Sequence, residues 1–159
     1  MPGFVTHHIF GINAFHGLPK GNAKDIIRKH NKAYSLGLQG PDLFFYFLPT
    51  SSGLFPNIAN KMHKENTGEF FNQLIIACST IKELEDYETC NAYIQGFIGH
   101  YLLDSAIHPY VYCRVTTKPD KEVLGVHFGL ETDIDREVLM HYKGCLLYTS
   151  PSPRDISGS

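Results

Sequence analysis

Apolar residues along this chain recur mostly at three- and four-residue intervals, and strand-like alternation is nearly absent, which predicts an all-α, multi-helix domain. Residues 4–15 read as a short apolar helix entering the core. Asn22 or Asp25 can start the next helix, and residues 24–37 place Ile26, Ile27, Ala33, Tyr34 and Leu36 among charged positions. Gly37, Gly40 and Pro41 then break the pattern, so LGLQGPD reads as a turn. Residues 43–48 are apolar and aromatic without a clear period, and Thr50 to Asn57 reads as loop. Residues 57–84 predict one or two helices burying Phe70, Phe71, Leu74, Ile75 and Ala77, with Glu85 to Tyr87 as a short connection. Residues 88–108 give the strongest helix, carrying Ala92, Ile94, Phe97, Ile98, Tyr101 and Leu102. Pro109 is expected to end it. Residues 113–121 read as loop and residues 124–143 as the last helix.

A length of 159 residues is enough for one compact domain with a real core, and 43% hydrophobic against 19% charged residues is an ordinary globular balance. The net charge of -2 gives no electrostatic case for nucleic acid as a partner. No apolar run is long enough to span a bilayer, FFYFLP at 44–49 included, and the N-terminus lacks the pattern of a signal peptide. Cys78, Cys90, Cys113 and Cys145 form no CxxC pair, so neither a thiolate zinc site nor a disulfide framework is indicated. A reducing cytoplasm is the expected location. The aromatic run Phe44, Phe45, Tyr46 and Phe47 offers a patch for peripheral membrane contact, but contiguous aromatics usually pack inward, and core is the expectation.

The last fifteen residues, CLLYTSPSPRDISGS, follow a well-patterned segment abruptly and have no period. Cys145 to Asp155 matches an in-frame translation of a widely used transposase-type sequencing adapter. Residues 1–144 are therefore expected to form the domain and residues 145–159 a non-native tail. The natural protein is expected to continue with helices that complete its core. An independent clone whose messenger RNA carries the same codons would overturn that expectation.

The one unusual count is nine histidines against fourteen Lys and Arg. Histidine is the commonest metal ligand, and its spacing here is informative. In GHYLLDSAIHPY, His100, Asp104 and His108 stand at i, i+4 and i+8, about 6 Å apart along a helix axis and on one face. In HFGLETDID, His127 and Glu131 repeat the spacing, with Asp135 one turn further. One such pair on a helix is more often a hydrogen-bonded or solvated couple. Two, on separate helices of a histidine-rich chain, argue for zinc, which accepts both histidine nitrogen and carboxylate oxygen. Asp42 follows Gly40 and Pro41. Turn aspartates usually cap helices, but the apolar residues after this one would bury it, and a buried carboxylate needs a partner. His63 is open to a ligand or a surface role equally. His7 and His8 sit in an apolar segment, one facing in and the other out, and spacing does not choose between them. His16, His30 and His141 read as structural or surface residues.

The stretches MPGFVTHHIFG, LGLQGPDLFFY, HKENTGEFF, GHYLLDSAIHP and HFGLETDID, spread over residues 1–144, resemble the bacterial zinc-dependent phospholipase C family in its compact form without a signal peptide. The resemblance implies a helical fold holding up to three zinc ions. Asp42, His63, His100 and Asp104 would hold one ion, and Asp104 would bridge to a second, whose N-terminal ligand is best matched by His7. His108, His127 and Glu131 would hold the third. Asp42 and Asp104 are the implied catalytic carboxylates, Asp42 as a candidate general base. The chain departs from secreted members in having no tryptophan, whose terminal amine and carbonyl serve there as ligands, so two or three ions are expected. The implied activity is metal-assisted hydrolysis of a phosphodiester in a phospholipid or another small substrate. The alternatives are a non-catalytic helical binding domain and a zinc-dependent single-strand nuclease.

Overall fold

The computed structural model describes residues 3–46, 58–115 and 123–143. Among these it is helical throughout, with no strand, as the periodicity predicts. The elements are α1 (Phe4–Gly17), α2 (Asn22–Lys29), α3 (Asn31–Gly37), a 3₁₀ segment (Gly40–Tyr46), α4 (Ile58–Lys64), α5 (Thr67–Ser79), α6 (Leu84–Val115) and α7 (Val123–Lys143). The expected loop at Thr50 to Asn57, the boundary at Gly144 and the tail lie outside the described residues. No described helix is long and apolar enough to cross a membrane.

The long helix α6 is the spine, and α1, α2, α3, α5 and α7 all contact it. Its closest neighbour is α3, and glycine makes that closeness possible. A Cβ on Gly37 would lie 2.1 Å from the Tyr93 carbonyl oxygen, and one on Gly96 would lie 2.1 Å from the Tyr34 carbonyl oxygen. Around this crossing Ile26, Ile27, Tyr34, Leu38 and Ala92 form the core, with Phe15, Leu18 and Ala33 packed on it. Burying side chains of this size contributes about 1.5–3 kcal/mol each. The Tyr34 hydroxyl donates to the Gly11 carbonyl at 3.0 Å, which ties α1 to the pair.

Five local expectations are corrected. Residues 24–37 are two helices, because His30 leaves helical dihedrals (φ -110°, ψ 43°) and turns its ring to α6. There Nε2 lies 3.2 Å from Glu88 and Nδ1 lies 2.9 Å from the Thr89 hydroxyl, while Lys29 bridges Glu85 and Glu88. Glu85 to Tyr87 belongs to α6 and is no separate connection. Pro109 lies inside α6 and does not end it. Proline costs the helix one hydrogen bond, but Val111 and Val115 beyond it are fully buried, and that burial offsets the loss. On α5 only Cys78 is buried; Phe70, Phe71 and Leu74 are half-buried, whereas Ile75 and Ala77 face solvent. The expectation that the aromatic run is core fails at Phe44, which is 39% exposed beside an exposed Leu43. Phe45 is half-buried, and Tyr46 and Phe47 offer no described side chain.

Candidate metal centre

The 3₁₀ segment begins at Gly40, whose φ of 53° lies in the left-handed region that glycine enters without penalty. This conformation turns the chain so that Asp42, 3% exposed, points inward. From α6, His100 and Asp104 project one turn apart into the same space, and both are buried. His63 enters from α4 and His7 from α1. His7 is fully buried, whereas His8 faces solvent, which resolves the pair that spacing left open.

Four ligand-type atoms converge. His63 Nε2 lies 3.2 Å from Asp42 Oδ1 and 3.4 Å from Asp104 Oδ2, and His100 Nε2 lies 3.6 Å and 3.3 Å from the same two oxygens. The other oxygen of Asp104, Oδ1, lies 3.3 Å from His7 Nε2. Every one of these atoms is buried without a hydrogen bond. Leaving so many buried polar atoms unmatched is costly unless something else matches them. Tetrahedral zinc with nitrogen and oxygen ligands at roughly 2.0–2.2 Å spaces those ligands about 3.4 Å apart. The four nitrogen-to-oxygen separations, 3.2–3.6 Å, are close to that spacing, so the chemistry and spacing of these donors suit zinc.

Backbone carbonyls set the imidazole tautomers. His100 Nδ1 lies 3.1 Å from the Leu38 carbonyl oxygen and His63 Nδ1 lies 2.6 Å from that of Ala59. A carbonyl accepts only, so each Nδ1 carries hydrogen, which leaves each Nε2 to offer its lone pair to an ion bound at the centre. The rings of His7 and His100 stack at 4.1 Å. Burial pulls the His7 pKa down, as suits a neutral ligand. For Asp104, burial raises the pKa, but His100, His63 and His7 outweigh it and hold the carboxyl far below the usual range.

A second group joins α6 to α7. Ligand atoms of His108, His127 and Glu131 lie within 4.8 Å of one another, and His127 Nε2 is 2.7 Å from Glu131 Oε1. Burial lowers the His127 pKa to about 4. One cleft of about 140 Å³ touches both groups, lined by His63, His100 and Asp104 on one side and His108 on the other. Phe70, Phe97 and Tyr101 give it an apolar wall.

The structure thus brings together all eight residues singled out as ligands, five in the central group and three in the second. Another His/carboxylate group, His30 with Glu85 and Glu88, also lies within 4.8 Å. Lys29 already bridges those two carboxylates, so the group serves as a staple between α2 and α6. Sequence reasoning noted Asp135 only as a helical continuation. Its carboxylate accepts from the amides of Val5 and Thr6 and from the Thr6 hydroxyl, across 129 residues of chain. No periodicity within α7 could have signalled that contact.

Among the described residues this is an all-helical domain whose buried histidines and carboxylates converge in groups that could hold a metal ion. A family model described as zinc-dependent phospholipase C matches residues 6–157, so the chain belongs to that family. No curated protein and no solved structure matches it.

Proposed function

We propose that the protein is a zinc-dependent hydrolase that cleaves the phosphodiester of a phospholipid or a related small substrate. The observation that carries the reading is the central set of buried, unmatched atoms on His7, Asp42, His63, His100 and Asp104. Asp42, His63, His100 and Asp104 would hold one ion, Asp104 and His7 would share a second, and His108, His127 and Glu131 would hold a third. When bound, zinc supplies Lewis acidity toward phosphate oxygens and lowers the pKa of water toward neutrality.

The chain's own residues supply the rest. The Leu38 and Ala59 carbonyls keep His100 and His63 aimed before substrate arrives. Asp42 is the candidate general base, a buried carboxylate whose Oδ1 faces the two imidazoles. The cleft that touches both groups would seat a phosphodiester against both, with Phe70, Phe97 and Tyr101 as an apolar wall that limits water on one side.

A purified protein is tested for zinc content and then for hydrolysis of a lipid head-group ester beside single-stranded DNA. About two or three zinc equivalents with lipid-ester turnover is the expected result. Less than one equivalent would reduce the domain to a helical binding module, and turnover of DNA alone would make it a nuclease.

A further inference from the structure

The N-terminus of α1 lacks a cap of its own. Gly3 stands at the N-cap position and has no side chain to accept from the orphan amides of the first turn. Those amides are satisfied from α7. Asp135 Oδ2 accepts from Val5 N at 3.2 Å, and Oδ1 accepts from Thr6 N at 2.9 Å and from the Thr6 hydroxyl. Glycine at position 3 lets the carboxylate sit this close, because a Cβ there would lie 2.1 Å from Asp135 Oδ2 and push the carboxylate away. On α7, Asp135 follows Glu131 by four residues and His127 by eight, so all three share one face. On α1, the clamped Thr6 immediately precedes His7, and both are buried.

We propose that Asp135 is a positioning residue that locks the first turn of α1 onto α7, so that His7 and the His127/Glu131 pair are presented to their ions as one rigid unit. It touches no reacting atom, and it acts through the place at which α1 holds His7. The inference rests on the zinc reading above. It adds that the two ion groups are mechanically joined by a carboxylate belonging to neither.

The test uses the full chain with Asp135→Asn, Gly3→Ala, Thr6→Val and Thr6→Ser. Ile27→Val, in the core away from the site, serves as a control for lost stability. Zinc affinity is read by competition with a chromogenic chelator, and amide exchange at Val5 and Thr6 is read on metal-free protein. Asp135→Asn and Gly3→Ala are expected to weaken zinc binding 10- to 100-fold, the range for outer partners of ligands, and to release amide protection. Thr6→Val should fall between them and the parent, Thr6→Ser should match the parent, and Ile27→Val should bind zinc normally at a lowered Tm. Unchanged zinc affinity in variants that have lost amide protection would leave Asp135 a cap alone and overturn the proposal. Unchanged protection, or equal zinc loss in Ile27→Val, would overturn it too. Should Asp135→Asn fail to fold, Gly3→Ala and Thr6→Val decide by the same readouts. A parent protein that binds no zinc refutes the functional reading before any substitution is made, and the positioning role falls with it.

Discussion

Replacing Gly40 with alanine perturbs the backbone and a ligand at once. Gly40 has φ of 53°, and an L-residue there costs about 1–2 kcal/mol. The added Cβ would lie 2.3 Å from His100 Cδ2 and 2.7 Å from its Nε2. Ordinary carbon contacts begin near 3.5 Å, so the ring must retreat by about 1 Å. It has little room, because it stacks on His7 at 4.1 Å and donates to Leu38 at 3.1 Å. Overpacking of this kind costs about 1–3 kcal/mol. The sum is about 2–5 kcal/mol, which lowers Tm by roughly 10 °C for a chain of this size. Displacing His100 Nε2 should also weaken zinc binding by 10- to 100-fold or more. Urea unfolding of metal-free protein reads the first effect, and chelator competition reads the second. Gly129→Ala is the matched control: nothing lies within 4 Å of its Cβ, and removing a mid-helix glycine should stabilise by about 0.5–1 kcal/mol. If Gly40→Ala unfolds at the parental urea concentration and retains full zinc, the assignment of His100 to a crowded, preset ligand position is wrong.

Asp104→Asn should remove at least one zinc equivalent and lower activity by more than 100-fold, because Asp104 faces His7, His63 and His100 together, whereas exposed His16→Ala should change neither. Metal analysis beside the hydrolysis assay settles the contrast, and equal effects would show the site misplaced. Metal-stripped protein should lose stability as pH rises. Burial lowers the His63 pKa, but Asp104 and Asp42 outweigh it and raise the pKa to about 9. With a folded value above the ordinary 6.5, the contribution is complete below pH 6.5 and is lost as pH climbs through about 9. Urea midpoints at pH 6 and pH 9.5 measure it, and a flat profile would contradict it. Leu38→Ala should cost about 2–5 kcal/mol by cavity formation, yet leave the His100 tautomer unchanged in a ¹⁵N imidazole spectrum, since the acceptor is main chain. A switch of tautomer would refute the carbonyl's role.

Much of the site was legible in the sequence because its ligands come in helical pairs. His100 with Asp104 and His127 with Glu131 stand out because the same spacing recurs on two helices of a histidine-rich chain. Asp42 was a weaker candidate, because turn aspartates usually cap helices; the apolar residues after it suggested burial, and its ligand role came from the family resemblance. His63 was undecided, because its inward aim depends on a carbonyl one turn back on α4. The break at His30 and the passage of α6 through Pro109 were not legible. Both are decided by tertiary partners, the former by Glu88 and Thr89 and the latter by buried Val111 and Val115. Local propensity is blind to such partners. Asp135 was hidden for the same reason, its contacts lying at the far end of the chain.

The crossing of α3 and α6 has a bearing on how this protein can drift in sequence. The group that decides which nitrogen of His100 bears hydrogen is the main-chain carbonyl of residue 38, and every amino acid has one. No substitution at position 38 can delete it. What can be lost is the proximity, and that is guarded by Gly37 and Gly96, where any side chain would drive two backbones apart. Mutational vulnerability is thereby moved off the residue that makes the contact and onto two glycines that touch no ligand. A survey of variants that scored only residues near the candidate ligands' side chains would therefore overlook two positions where any side chain meets backbone.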